Sequence, residues 1–363
     1  MVKFRSRLYL TPNFLERWDL MARSRGIYNR IYTPELWNQV NPENKAIIDD
    51  FLAEYRQQKK AQSTINAYFQ DSRIIMIYIL QHHNNKSILE MTKKDFRNFS
   101  LWLSEDCELS ANRVNRLKST VNSMLTFVEN DDQYEYDVNY AKKVKGLPRE
   151  KVKINEDNFF FTFKEFIAVR DKLVEMGDLQ TAVLWSLSFD SAGRRNELFQ
   201  VKKTDILNGN KTNVVKGKRG KLFPLIFLDD TKELIRQYLE QRGDDDIESL
   251  WVSGHGKNKS EVTKDALYGR IVKCSKILSQ IRGEEVYIFP HSIRHSRLES
   301  LIQGTDDRLK DENGNNRKYT LNEVAVVAHH DSIETTQMYL KNHDLDIIDS
   351  MFGFKQDNDK EVQ

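Results

Sequence analysis

Between Pro42 and Val128 the chain sets apolar residues at helical spacing in four successive segments. "NKAIIDDFLAEYRQQKK" puts Ile47, Ile48, Phe51, Leu52 and Tyr55 on one stripe, and "STINAYFQDSRIIMIYILQ" follows with Ser63 as its expected N-cap. "MTKKDFRNFSLWLSE" opens at Thr92 and carries Phe96, Phe99 and Leu103. "SANRVNRLKSTVNSMLTFV" carries Val114, Leu117, Val121, Leu125 and Val128. Such stripes are buried by packing against one another, so residues 46–139 are expected to form a helical bundle. Opposite the last stripe stand Arg113, Arg116 and Lys118, as suits a helix laid on DNA or, equally, a solvated basic face.

The helical pattern stops at "YAKKVKGLPREKVKINEDN" (residues 140–158), which holds Gly146 and Pro148 and reads as a linker between two domains. Its segment 140–153 has six Lys/Arg against one acid, and Lys142, Lys143 and Lys145 are candidate contacts to a polyanion. Residues 1–45 have eight Lys/Arg against four acids, with Tyr28 and Tyr32 among the interleaved aromatics. They suit a basic arm on nucleic acid or aromatics packed on a neighbouring domain. Residues 331–363 reverse the balance, with three Lys against eight acids. The formal net charge of +2 hides this asymmetry. Two cysteines, Cys107 and Cys274, are too few for a disulfide framework or a cysteine-based zinc site. The start has no apolar signal core, and the longest apolar run, "IIMIYIL", is too short for a bilayer, so no membrane association and a cytoplasmic location are expected.

Residues 159–342 are expected to form a second domain, mainly helical with a small antiparallel sheet. Thr162 and Glu165 have capping-box spacing at its first helix, and "LQTAVLWSLSF" reads as a buried one. "TNVVKG" and "KLFPLIFL" flank "KRG" as a short hairpin, and "GTDDRLKDENGNNRK" (304–318) reads as an exposed loop. Four stretches of this domain could carry chemistry: "SAGRRNEL", "VVKGKRGKLFP", "PHSIRH" and "AHHDSIETTQMY". Between them they offer arginines, a hairpin lysine, histidines and one tyrosine, a set suited to metal-free phosphodiester cleavage. Guanidinium stays charged and its fork matches phosphate oxygens. A tyrosine hydroxyl has a free pKa near 10, so ionising it at pH 7 costs about 4 kcal/mol and a nearby base helps. His291 and Arg294 are three apart and share a helix side, whereas His330 and Tyr339 are nine apart. An unbroken helix would oppose these last two, so a turn is needed between them, with Asp331 and Ser332 as caps for a second helix.

The four stretches resemble, in order, the motifs of the tyrosine recombinase (phage integrase) family. "SAGRRNEL" is similar to T-G-x-R-x-S-E-L and gives Arg194; "VVKGKRGKLFP" is similar to G-K-G-x-K-x-R-x-x-P and gives Lys216. "HSIRH" is similar to H-x-L-R-H and gives His291 and Arg294; "AHHDSIETTQMY" is similar to L-G-H-S-S-I-x-T-T-x-x-Y and gives His330 and Tyr339. Residues 46–139 resemble the family's helical core-binding domain. The chain departs from the pattern at Arg195 beside Arg194, at Lys218 two past Lys216, at His329 in place of glycine, and in the long loop 304–318.

The resemblance implies a two-domain DNA clamp that exchanges DNA strands at a specific site through a 3′-phosphotyrosyl link made by Tyr339. Arg194 and Arg294 would hold the phosphate, His330 would add a hydrogen bond, Lys216 would protonate the leaving oxygen and His291 would act as base. Lys218 and Arg219 join the expected DNA contacts. The implied partners are double-stranded DNA bearing a recombination site and a homotetramer on two duplexes, with accessory DNA-bending proteins; no cofactor or metal is implied. Residues 343–363, with Leu345, Ile348, Met351 and Phe352 at helical spacing, resemble a tail that docks on a neighbouring subunit, or else pack on their own domain.

Three other readings compete. A type IB topoisomerase uses the same tyrosine chemistry, and a catalytically silent DNA-binding protein could keep the fold. A metal hydrolase could use His291 and His295 with His329 and His330, but Ser292 stands where a zincin has Glu, and Arg294 would set a cation among the ligands.

Overall fold

The computed structural model describes residues 26–148, 159–254, 256–337 and 340. Residues 1–25 of the arm, the linker from Arg149 to Asn158, Tyr339 and the tail 343–363 lie outside the described residues. The chain divides into two compact units, Met1–Lys151 and Val152–Gln363.

The first unit is helical. It runs α1 (Ile27–Ile31), α2 (Pro34–Gln39), α3 (Pro42–Gln57), α4 (Gln62–His82), α5 (Lys93–Leu101) and α6 (Ala111–Glu129). Every apolar stripe residue named above is buried except Tyr55, which is half-buried. Local chemistry sets the helix starts: Thr92 caps α5 with a reciprocal Asp95 contact, and Ser110 caps α6. Helix α4 begins one residue before Ser63, and its N-cap is Ala61, not Ser63.

Two boundaries move. Residues 27–45, assigned to the arm by sequence, fold onto the bundle: Ile27 and Val40 join its core. Tyr32, Trp37 and Phe69 enclose the Arg73 guanidinium, with the Phe69 centroid 3.8 Å away, and Arg73 donates to Tyr28 Oη at 2.7 Å. The start of the expected linker also packs down, with Ala141 and Val144 buried. Asn115 accepts from the Leu147 amide at 2.9 Å and donates to its carbonyl.

The second unit runs α7 (Phe163–Glu175), α8 (Leu179–Ser191), α9 (Arg195–Leu198), β1 (Lys211–Lys216), β2 (Leu222–Ile226) and α10 (Asp229–Arg242). After β3 (Val252–Ser253) and β4 (Ser260–Glu261) come α11 (Lys264–Arg282), α12 (Pro290–Gln303), α13 (Leu321–Val327) and α14 (Ile333–Gln337). Helix α8 is buried along almost its whole length and forms the axis of the core, with Trp185 and Phe189 stacked among Phe161 and Phe166. Strands β1 and β2 pair antiparallel with Val215 opposite Phe223 and Lys216 opposite Leu222. A separate small cluster, including Ala192, Leu298, Val324 and Ala328, packs α12 against α13. The loop 304–318 is not simply exposed: Asp306 is buried and Arg308 reaches inward to Asp190.

Candidate active site

Helix α8 ends at Ser191 and the chain enters the left-handed region at Ala192 (φ 50°). Gly193 follows because a Cβ there would lie 2.9 Å from Ser191 Oγ and 3.3 Å from the Leu198 side chain. This tight exit presents the Ala192 carbonyl to the site and starts α9 at Arg195, with Arg194 as its N-cap. Glu197, 1% exposed, accepts from the Arg194 amide at 2.8 Å and from its guanidinium at 3.1 Å. A buried carboxylate thereby fixes the direction of Arg194.

Helix α12 begins with Pro290 at its first turn, which places His291 at the mouth and Arg294 one turn deeper. Arg294 is 1% exposed and donates to the carbonyls of Ala192 and Ala328 and to His330 Nε2 at 2.7 Å. Arginine can only donate, so Nε2 accepts. Nδ1 then carries the ring proton toward Thr336 Oγ1, 2.9 Å away. Burial first, then the charges of Arg294 and Arg194, push the His330 pKa down to about 3. The same causes lower that of His291.

Helix α13 ends in a Schellman turn. The His330 amide bonds the Ala325 carbonyl and the His329 amide bonds that of Val326, both at 3.0 Å, with His329 at φ 51°. That turn aims His330 at Arg294. The chain then turns through Asp331, and Ser332 Oγ accepts from the Thr335 amide at the start of α14, the helix on which Thr336 sits.

Arg194, His291 and Arg294 line one cavity of about 580 Å³ with Phe159, Tyr268 and Phe289. The hairpin lies beside it, since a Cβ on Gly217 would come 3.2 Å from Glu197 Oε1. Lys216 is exposed at the end of β1, and Gln200 brackets its backbone at 2.9 and 3.0 Å. Thus four of the six expected chemical residues converge, Lys216 sits on the adjoining hairpin, and Tyr339 lies outside the described residues. Neither Thr336 nor Glu197 was singled out as a site residue from the sequence, although the T-T and E-L of the motifs were the available signal. Among the described residues, no group of three or more His, Cys, Asp or Glu is placed to hold a metal ion.

The matching of parts extends to whole folds. A XerH site-specific recombinase bound to a palindromic difH substrate, in a post-cleavage complex, is similar with a TM-score of 0.60 at 16% identity, over 82% of this chain and 81% of that one. A lambda integrase dimer bound to a COC′ core site is similar with a TM-score of 0.56 at 13% identity, over 80% of this chain and 96% of that one. The chain has the tyrosine recombinase fold. In sequence it is 27% identical over 349 residues to the SPbeta prophage-derived recombinase-like protein YomM of Bacillus subtilis (strain 168), covering 90% of this chain and 94% of that one. No protein-family model matches.

Several expected DNA contacts have partners inside this tyrosine recombinase fold. Arg113 makes a two-pronged bond to buried Asp71 at 2.7 and 3.2 Å, and Lys118 donates to the Val144 carbonyl. Lys142 pairs with Glu129 at 2.9 Å, Lys143 lies over the Tyr140 ring and Arg219 pairs with Asp331 at 3.2 Å. Arg116, though 3.3 Å from Asp71, stays exposed, as do Lys145 and Lys218.

The lowered histidine pKa values carry a stability consequence. Below about pH 6.5 the unfolded chain takes up protons that the folded site refuses, so stability should be full above that pH and fall as pH drops toward 3. One such group contributes at most about 1.4 kcal/mol per pH unit. Urea titrations at pH 7.5 and pH 5 should therefore differ less for His330→Gln than for the natural chain.

Proposed function

We propose that the chain is a site-specific DNA recombinase or integrase that cleaves and rejoins strands through a 3′-phosphotyrosyl intermediate. The observation that carries this reading is the convergence of Arg194, His291 and Arg294 on one cavity, with His330 bonded to Arg294, in a fold shared with recombinases. Two fixed guanidiniums offer preorganised positive charge where negative charge grows on a pentavalent phosphorus. Tyr339 attacks, the bond from phosphorus to the 5′-oxygen breaks, and Lys216 supplies that oxygen's proton. His291, neutral at pH 7 because its pKa is lowered, accepts the phenolic proton. His330 orients Arg294 through the hydrogen bond its Nε2 accepts; as a neutral acceptor there, it acts on phosphate through the arginine rather than by donating directly. The ester keeps the bond energy, so a 5′-hydroxyl of the partner strand can reseal the backbone.

The partner is double-stranded DNA carrying a recombination site, and the working assembly is a homotetramer on two duplexes, aided by accessory DNA-bending proteins. Its place is the nucleoid in the cytoplasm; no described helix is long and apolar enough to cross a membrane. Among the DNA contacts, Arg116, Lys145 and Lys218 are the best placed to reach phosphate. The test is incubation with nicked suicide duplexes bearing element-end sequences, in EDTA. The natural chain should yield a covalent adduct and Tyr339→Phe none; an adduct that persists in that variant would refute the reading.

A further inference from the structure

His329 stands in a left-handed conformation (φ 51°) that glycine adopts freely and other residues adopt at a cost. A side chain kept there calls for a compensating contact, and the structure supplies one. The His329 ring stacks on Phe223 with centroids 3.6 Å apart and planes 19° from parallel. Phe223 lies opposite Val215 in the hairpin, one residue from Lys216. On the other side of His330, Asp331 pairs with Arg219 at 3.2 Å and with Lys221, both at the hairpin tip. The hairpin is shaped for this grip, since a Cβ on Gly217 would come within 2.6 Å of the Phe223 ring. The residues flanking His330 on both sides therefore hold the hairpin that carries Lys216.

We propose that His329 and Asp331 are positioning residues that fix the β1–β2 hairpin, and so Lys216, against the His330 segment. The inference rests on the reading of Lys216 as the general acid. The two contacts differ in kind. Asp331 and Arg219 are exposed and Lys221 is partly exposed, so their ion pairs are weak and screened by salt. The ring stack involves a half-buried His329 and a buried Phe223, and salt leaves it in place. His329 is then the main anchor, and Asp331 an adjustable one that a DNA phosphate could replace at Arg219 and Lys221.

Two measurements on the full chain test this. The first is hydrogen exchange of residues 211–226 without DNA. His329→Gly should speed it at any salt concentration, His329→Phe should keep it slow, and Asp331→Asn should speed it at low salt only. Glycine suits the local backbone, so a folding failure is not expected of His329→Gly, and its melting temperature checks this. The second uses a nicked duplex recovered from a random-sequence pool by covalent capture with the natural chain. On it, His329→Gly should slow single-turnover adduct formation by about tenfold. A 5′-bridging sulfur at the scissile position leaves as a thiolate of pKa about 8.5 and needs no acid. That substitution should restore His329→Gly, as it should Lys216→Ala, to within about twofold of the natural chain.

Unchanged exchange in His329→Gly, or a cleavage defect that sulfur does not relieve, would overturn the proposal. Failure of the natural chain to form any adduct would instead sink the recombinase reading, and the exchange result would still decide whether His329 anchors the hairpin.

Discussion

Arg294→Ala should abolish strand cleavage and destabilise the second unit by about 3–5 kcal/mol. The side chain is 1% exposed and joins three segments: the exit of α8 at Ala192, the end of α13 at Ala328, and His330. Alanine would leave two carbonyls and an imidazole nitrogen buried without their donor, at about 1–3 kcal/mol each before relaxation. It would also remove the most deeply buried of the arginines that line the cavity. Arg294→Lys keeps the charge but cannot reproduce a planar fork to three acceptors, so it should regain part of the stability and little of the activity. Urea unfolding followed by circular dichroism reads the first effect, and adduct yield at a temperature where both variants stay folded reads the second. An Arg294→Ala chain that is as stable as the natural one would contradict the geometry described.

The second large effect lies away from the cavity. Arg308 donates to Asp190 and Asp306 at 2.8 Å and to Asp230 at 3.0 Å, and it faces the rings of Phe163 and Phe166. Asp190 is 1% exposed and also accepts from the Leu228 amide and the Thr231 hydroxyl. The surrounding carboxylates hold the Arg308 pKa above its ordinary value against the opposing pull of burial. Arg308→Ala would leave the buried Asp190 carboxylate without its cationic partner, while Asp306 keeps Arg297, and the expected loss is about 3–5 kcal/mol. Thermal melting should show it as a clear drop in Tm, while Lys310→Ala, in an exposed part of the same loop, should shift Tm little. Equal shifts for the two variants would mean that the loop is not anchored through Arg308.

These two arginines show what a sequence makes legible and what it does not. Helical stripes such as Val114–Leu117–Val121–Leu125–Val128 are local, and their burial follows from spacing alone. Caps at Thr92 and Thr162 and the hairpin around "KRG" are local too, and they stand where spacing puts them. That Arg194, His291, Arg294 and His330 come together was legible because short motifs occur in order. Partnerships across long separations were not. Arg113 is bonded to Asp71, 42 residues away, and so looked like a free basic face. Arg308 is bonded to Asp190 across 118 residues, and its loop looked exposed because its composition is polar. Tyr28 and Tyr32 gave the same signal whether they served an arm or a core, and the structure sets them on the bundle around Arg73. His329 was visible as a departure from glycine, but the ring it stacks on lies 106 residues earlier, so its role needed coordinates.

In the proposed mechanism the phosphate clamp of Arg194 and Arg294 serves attack by one tyrosine oxygen on the 3′ side of a DNA break. The most direct measurement is mass spectrometry of the protease-digested adduct, paired with enzymatic labelling of the released DNA end. The expected product is a nucleotide joined through a 3′-phosphate to the peptide containing Tyr339, with a released strand that a kinase can label at its free 5′-hydroxyl. A link to another residue, or a 5′-phosphate on the protein with a free 3′-hydroxyl, would contradict it.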